Sequence, residues 1–208
     1  ALGAAPKGII ISKGRDDIDS YAFPARDLID TSTYSRKLLG NPVISLITSR
    51  GCPNNCIYCN SIVMGGGNKN VRYRNSDNIV KEIETLRDKF AYYRFNDDNF
   101  TANPNIEELL SKMKDLEINF RVFSRVENLD NNTCKMLKAA GCAHVSVGLE
   151  TMNPENLRII GRKKQIGKET NIKIVRDNGL VVRAYFMVGL PYDTDESVEK
   201  NFIDASRL

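Results

Sequence analysis

Cys52, Cys56 and Cys59 fall in the run Thr-Ser-Arg-Gly-Cys-Pro-Asn-Asn-Cys-Ile-Tyr-Cys at residues 48–59, directly after the apolar stretch 43–47. The Cys-x3-Cys-x2-Cys spacing supplies three thiolates from one short loop. A structural zinc site closes with four ligands, whereas thiolates are the usual protein ligands of iron–sulfur clusters. A four-iron cubane held by three cysteines leaves one iron without a protein ligand, and an open iron is a reaction site. Pro53 and Asn54-Asn55 favour the turn that gathers the cysteines. Tyr58 is placed to lie against whatever binds beside the cluster. The spacing alone leaves zinc with a distant fourth ligand as an alternative. The lone His144 begins an apolar run and reads as structural.

The elements around this loop belong to an ordinary soluble domain. The chain has 208 residues, 41% hydrophobic and 27% charged, enough for one substantial core. Three of its five cysteines crowd into eight residues, unlike an even and dispersed disulfide framework, which suits a reducing cytoplasm. Cys134 and Cys142 read as small buried hydrophobes. No run approaches the ~18 apolar residues of a membrane span, and residues 1–7 lack the layout of a signal peptide. The net charge of +4 is a small difference between 30 basic and 26 acidic side chains, so nucleic acid is not indicated. The densest basic cluster, Arg158, Arg162, Lys163 and Lys164, reads as a solvated face.

Residues 1–42 show no sustained periodicity and read as an N-terminal extension or interdomain connector, with a small strand at Ile9-Ile10-Ile11 and a helical turn over 34–39. From Val43 to Leu208 strand and helix alternate. Strands are expected at 43–48, 92–95, 118–123, 143–149 and 180–188. Between them come a helix capped by Ser76 with Ile79, Val80, Ile83, Leu86 and Phe90 on one face, and one opened by Asn103-Pro104. Further helices are expected over 130–140, stopped by Gly141, and over 154–160, 168–178 and from Asp195 onward. Such alternation implies parallel strands with right-handed crossovers. The fold class is therefore α/β, a partial TIM-type barrel of about five to six strand–helix units truncated at its C-terminal side, since eight need about 250 residues. An open doubly wound sheet is the alternative. In both, ligand groups belong at the carboxyl ends of strands. The cysteine loop, Asn96-Asp97-Asp98, Ser124-Arg125, Glu150 and Gly189-Leu190-Pro191 occupy those five ends in turn.

Cys52-x3-Cys56-x-Tyr58-Cys59 resembles the signature of the radical S-adenosylmethionine superfamily, in which an aromatic commonly precedes the last cysteine. The resemblance implies a 4Fe–4S cluster held by Cys52, Cys56 and Cys59, whose open iron is chelated by S-adenosylmethionine. It implies reductive cleavage to a 5′-deoxyadenosyl radical that abstracts hydrogen from a substrate, the electron coming from a donor such as flavodoxin or ferredoxin. Asn96-Asp97-Asp98-Asn99-Phe100 resembles the element that accepts the ligand's ammonium, assigning Asp97 or Asp98 to that group. Ser124-Arg125 resembles the element that meets its carboxylate. Glu150, in Gly148-Leu149-Glu150-Thr151, is similar to a residue bonding the ribose or ammonium. Phe186-Met187-Val188-Gly189-Leu190-Pro191 resembles the element that packs on adenine, with Met187 in contact.

The stretch 18–28, Arg125-Val126-Glu127, Ala140-Gly141-Cys142 and Gly189-Leu190-Pro191 are most similar to cobalamin-dependent members. Those carry an Asp-x-His-x-x-Gly motif in an N-terminal domain, and the one histidine here sits in Ala143-His144-Val145. Cobalamin is thus expected on a domain outside this chain, which reads as the middle of a longer protein. A methyltransferase-type enzyme is the expectation, with a methylthiotransferase or a non-catalytic zinc or iron–sulfur module as alternatives. The substrate is not legible.

Overall fold

The computed structural model describes residues 17–33, 36–61 and 70–207. Five parallel strands form its centre: β1 (Ile44–Leu46), β2 (Tyr92–Phe95), β3 (Asn119–Arg125), β4 (Cys142–Glu150) and β5 (Val181–Phe186). Each pairs with the next in sequence, so the spatial order is the chain order. A doubly wound sheet reverses its order at a switch point. The uninterrupted order here is that of a TIM-type sheet, open between β1 and β5.

The strands segregate their two faces by the period-two rule. Tyr93 and Phe95, Phe120 and Val122, and Val145, Val147 and Leu149 point one way and are fully or almost fully buried. Onto that face pack α1 (Ser76–Glu84), α2 (Ile106–Lys114), α3 (Asn131–Ala139) and α5 (Asn171–Asp177), through Ile79, Ile83, Leu109, Met113, Leu137 and Val175. α4 (Pro154–Ile159) and α6 (Asp195–Ser206) follow β4 and β5, and α6 meets β5 through Phe202 and Phe186, whose ring centroids are 6.1 Å apart. The opposite, concave face carries Arg94, Arg121, Phe123, His144, Ser146 and Tyr185.

Several boundaries differ from the sequence expectation for local reasons. Asn75 caps α1 instead of Ser76, because its side chain accepts the Asp77 amide. That helix ends at Glu84, and Phe90 reaches the core from the turns that follow. Asn103 spends its side chain on the Asn105 amide, an Asx turn that delays α2 until Ile106 and leaves Pro104 outside it. The turn expected over 34–39 is a hairpin instead: Lys37–Leu38 pairs antiparallel with Asn41–Pro42 through Leu39 and Gly40, both at positive φ (51° and 82°). The strand expected at Ile9-Ile10-Ile11, and Tyr34 itself, lie outside the described residues. β5 has the clearest strand sequence but the most exposed residues, because it is an edge of the sheet.

The segment before Ile44 packs along the other edge. Arg26 donates to the Ser45 carbonyl (3.2 Å) and pairs with buried Glu82 (2.8 Å), so one guanidinium ties the open side of β1 to α1. Asp19 accepts the Asn75 amide at the mouth of the same helix (2.8 Å).

Candidate active site at the carboxyl rim of the sheet

All three cysteines of the loop line one cavity of about 610 Å³ at the carboxyl ends of β2, β3 and β4. Asp98, Arg125, Glu150 and Tyr58 share its wall, and Arg94, Phe123 and Tyr185 lie deeper on the concave face. A second cavity, of about 550 Å³, lies between the 18–26 segment and Arg74 and has no cysteine in its wall.

The cysteine loop is fixed from two sides. Asp97, 2% exposed, accepts from the Thr48 amide (2.9 Å), the Thr48 hydroxyl (2.7 Å) and the Ser49 hydroxyl (2.6 Å). Burial raises its pKa by more than these donors lower it. It is the strut between the end of β2 and the start of the loop. On the other side Gly161 stands at φ 77°, and a Cβ there would meet the Asn55 carbonyl at 2.6 Å. Only glycine allows the turn after α4 to approach the loop so closely, and the Ile57 amide donates to the Ile160 carbonyl across the same contact (3.3 Å).

The sulfurs already have polar donors. Arg125 Nη1 donates to Cys56 Sγ (2.9 Å) and Asn54 Nδ2 to Cys52 Sγ (3.4 Å). Donors of this kind favour thiolates and cluster sulfides. Arg125 is itself held by Glu127 (2.5 Å). Burial works against its charge, but Glu127 and Cys56 outweigh that and keep the guanidinium firmly protonated. Three sulfur ligands, two sulfur-directed donors and adjoining open space therefore fit an iron–sulfur cluster with a free iron. Among the described residues, no three His, Cys, Asp or Glu side chains converge closely enough to hold one metal ion.

The fourth strand ends in a built polar network. Glu150 adopts φ 61°, uncommon for a non-glycine residue, and its Oε1 accepts from the Tyr58 hydroxyl (2.9 Å) and Arg162 Nη1 (3.3 Å). Arg162 also donates to the Gly148 carbonyl (2.6 Å) and to Gln165 Oε1 (2.9 Å). Gly148 leaves the space: a Cβ there would lie 2.3 Å from Glu150 Oε1. Burial raises the Tyr58 pKa well above the usual phenol range, Arg162 offsetting part of it and Glu150 and Cys56 adding to it, so Tyr58 remains a hydrogen-bond donor.

These positions revise the sequence reading in part. Asp98 is exposed in the cavity with its carboxylate available, while Asp97 is committed to Thr48 and Ser49. Ser124 forms part of the wall, but its hydroxyl bonds to Thr101 (2.6 Å). Met187 is not in the cavity wall; its amide donates to the Glu150 carbonyl (2.7 Å) and fixes the end of β4 against β5. Arg162 was grouped with a solvated basic face, yet it is 5% exposed and central to the site. Its neighbours Arg158, Lys163 and Lys164 are exposed, Arg158 paired with Glu155. Gly161, at φ 77° beside Arg162, is the one sequence signal that could have pointed to a close approach at this turn. Cys134 and Cys142 are buried, with burial pushing their thiols up to about 11 and about 12, and both are inert.

The profile of the Radical SAM superfamily matches residues 46–203, nearly the whole described core and every residue of the rim. This chain belongs to the Radical SAM superfamily. It is an enzyme core, and the matched residues include all three cysteines of the loop. Similar proteins include an uncharacterized methyltransferase of Pyrococcus horikoshii, 31% identical over 92% of this chain and 42% of that protein. Another is the bacteriochlorophyllide d C-12(1)-methyltransferase of Chlorobaculum tepidum, 25% identical over 77% of this chain and 36% of the relative. The radical SAM chain thus spans less than half the length of these relatives. Its fold matches that of the radical S-adenosylmethionine methyltransferase TsrM from Kitasatospora setae, solved with cobalamin and a 4Fe–4S cluster, at TM-score 0.69 and 22% identity. That match covers 78% of this chain and 34% of TsrM. No helix among the described residues is long and apolar enough to cross a membrane.

Proposed function

We propose that this chain is the radical-generating core of a methyltransferase, built to hold S-adenosylmethionine against a 4Fe–4S cluster on Cys52, Cys56 and Cys59. The observation that carries the reading is the shared cavity: three free thiols, the uncommitted carboxylate of Asp98, and the Tyr58–Glu150–Arg162 network all face one space. Cys52, Cys56 and Cys59 would hold the cluster, which when bound and reduced would supply the electron for cleavage of the sulfonium.

The protein groups have separable tasks. Asp98 accepts the ammonium of the methionine moiety by a charge-assisted bond. Arg125 stabilises the cluster sulfurs through Cys56 and presents the rest of its fork to the carboxylate. Glu150, oriented by Tyr58 and Arg162, accepts from the ribose hydroxyls. Asp97 and Gly161 position the loop without touching the ligand, and the 186–191 segment closes the adenine side behind Glu150.

The methyltransferase assignment draws on the Pyrococcus and Chlorobaculum relatives and on the TsrM-like fold. Cobalamin, on this reading, is bound by a part of the protein outside this chain, and the electron comes from a small donor such as flavodoxin or ferredoxin. Anaerobic reconstitution tests the core claim. The chain should take up about four irons, Cys52→Ala should lose most of them, and reduction in the presence of S-adenosylmethionine should release 5′-deoxyadenosine and methionine. Full iron uptake with no S-adenosylmethionine binding by calorimetry would refute the reading.

A further inference from the structure

The concave floor below the rim carries charged groups to which the proposed cluster and ligand site assigns no task. Arg94 on β2 lies directly opposite Arg121 on β3, and Arg121 lies opposite His144 on β4. One step along, Ser146 lies opposite Arg183 on β5. Like charges directly opposed across strands are destabilising. Among the described residues, none of these three arginines forms an ion pair with a carboxylate. The acids that share the cavity sit at the rim, where Glu150 is engaged by Arg162.

Both central guanidiniums rest on one aromatic ring: Arg121 is 5.0 Å and Arg94 5.6 Å from the Phe123 centroid. The Phe123 ring stacks in turn on Tyr185 (6.4 Å, 27°). Arg121 Nη2 donates to Ser146 (3.0 Å), but the Nε atoms of Arg94 and Arg121 are buried with no hydrogen-bond partner. A buried donor without a partner is unfavourable, and the floor holds two of them beside a concentration of positive charge. Two neighbours report that charge. Burial, then Arg121 and Arg183, hold the His144 pKa below its ordinary value. Burial pushes Tyr185 up, but Arg183, Ser146 and Arg121 outweigh it and lower its pKa from the ordinary value.

We propose that this floor is a substrate subsite for an oxyanion, a carboxylate or a phosphate, borne on a flat apolar body that lies against Phe123 and Tyr185. Arg94 and Arg121 supply the charge and the free donors, and Arg183 closes the β5 side. Arg94, Phe123 and Tyr185 line the same cavity as the cysteines, so a molecule anchored there would extend toward the rim. Calling it substrate rests on the radical SAM reading above; the binding itself does not, since β2 to β5 form the subsite without the cluster.

Calorimetric titration of the chain as isolated with benzoate, phenylphosphonate and the neutral isostere benzamide is the test. Saturable binding is expected for at least one anion, at least tenfold tighter than for benzamide, and the tighter anion tells carboxylate from phosphate. Arg94→Gln and Arg121→Gln should each weaken that anion at least tenfold and should melt at or above the parent temperature, because each relieves an unpaired like charge. Cys52→Ala should bind the anion unchanged while losing the cluster, which separates failure of the subsite from failure of the radical reading. Equal binding of benzamide, unchanged anion binding in both glutamine variants, or a fall of several degrees in their melting temperatures would overturn the proposal.

Discussion

The two faces of the central sheet are made from alternating residues of the same strands, yet they are organised in opposite ways. On the helix side Phe95, Phe100 and Phe120 pack at centroid separations of 5.2–6.2 Å, joined by Ile79, Leu109 and Val122, with no exposure beyond 1%. On the concave side Arg94, Arg121 and Arg183 gather with no carboxylate partner among the described residues, and the rim above them holds sulfur, carboxylate and guanidinium around open space. The first face is satisfied by the chain itself. The second is complete only with something added. Because strand side chains alternate, a substitution one residue along moves from one regime to the other.

Adjacent substitutions in β3 are the strongest way to break that contrast. Phe120→Ala should cost about 3–5 kcal/mol in denaturant unfolding, while Arg121→Gln, the next residue, should cost nothing measurable. A comparable loss for both would mean that the concave face contributes to the core. Gly161→Ala should come next, at about 1–3 kcal/mol, because it forces an alanine into positive φ and against the Asn55 carbonyl. Iron uptake should fall with it; a variant with normal iron content would show that this contact does not position the cysteine loop.

The paired aspartates sharpen the distinction between support and contact. Asp97→Asn weakens the charge-assisted bonds to Thr48 and Ser49 and should destabilise the fold by about 1–2 kcal/mol. Asp98→Asn should leave the melting temperature unchanged and weaken S-adenosylmethionine at least tenfold, and the reverse pattern would exchange their roles. The smallest effect belongs to His144. Its pKa is depressed in the folded state from an ordinary 6.5, so the unfolded chain takes up the proton first. Stability should be full above about pH 6.5 and decline as pH falls below it toward the folded-state pKa. His144→Gln should flatten that slope in unfolding curves measured between about pH 5 and 7.

Most of the scaffold was legible because its signals are local. Tyr92–Phe95 has its expected bounds, while Asp130, expected as the first residue of a helix, caps it instead by accepting the Thr133 amide. Asn103 could equally cap a helix or close an Asx turn, and sequence alone did not decide between them. That the three cysteines gather at one cavity was legible, because their close spacing in one loop leaves them little freedom to separate. Arg162 was not, since a buried arginine and a solvated one look alike among lysines; its partners Glu150 and Gly148 are brought to it only by the crossover after β4. The division between Asp97 and Asp98 is likewise tertiary, set by which carboxylate reaches the Thr48 amide 49 residues away. The opposed arginines of the floor appear only once strand register is known.

The central claim, that the rim holds S-adenosylmethionine directly on the cluster, is tested most directly by electron paramagnetic resonance of the reduced, reconstituted chain titrated with S-adenosylmethionine. The cluster signal should change on addition of the ligand, and at the same concentration it should not change in Asp98→Asn carrying the same iron content. A fully loaded parent chain whose spectrum is indifferent to S-adenosylmethionine would contradict the account.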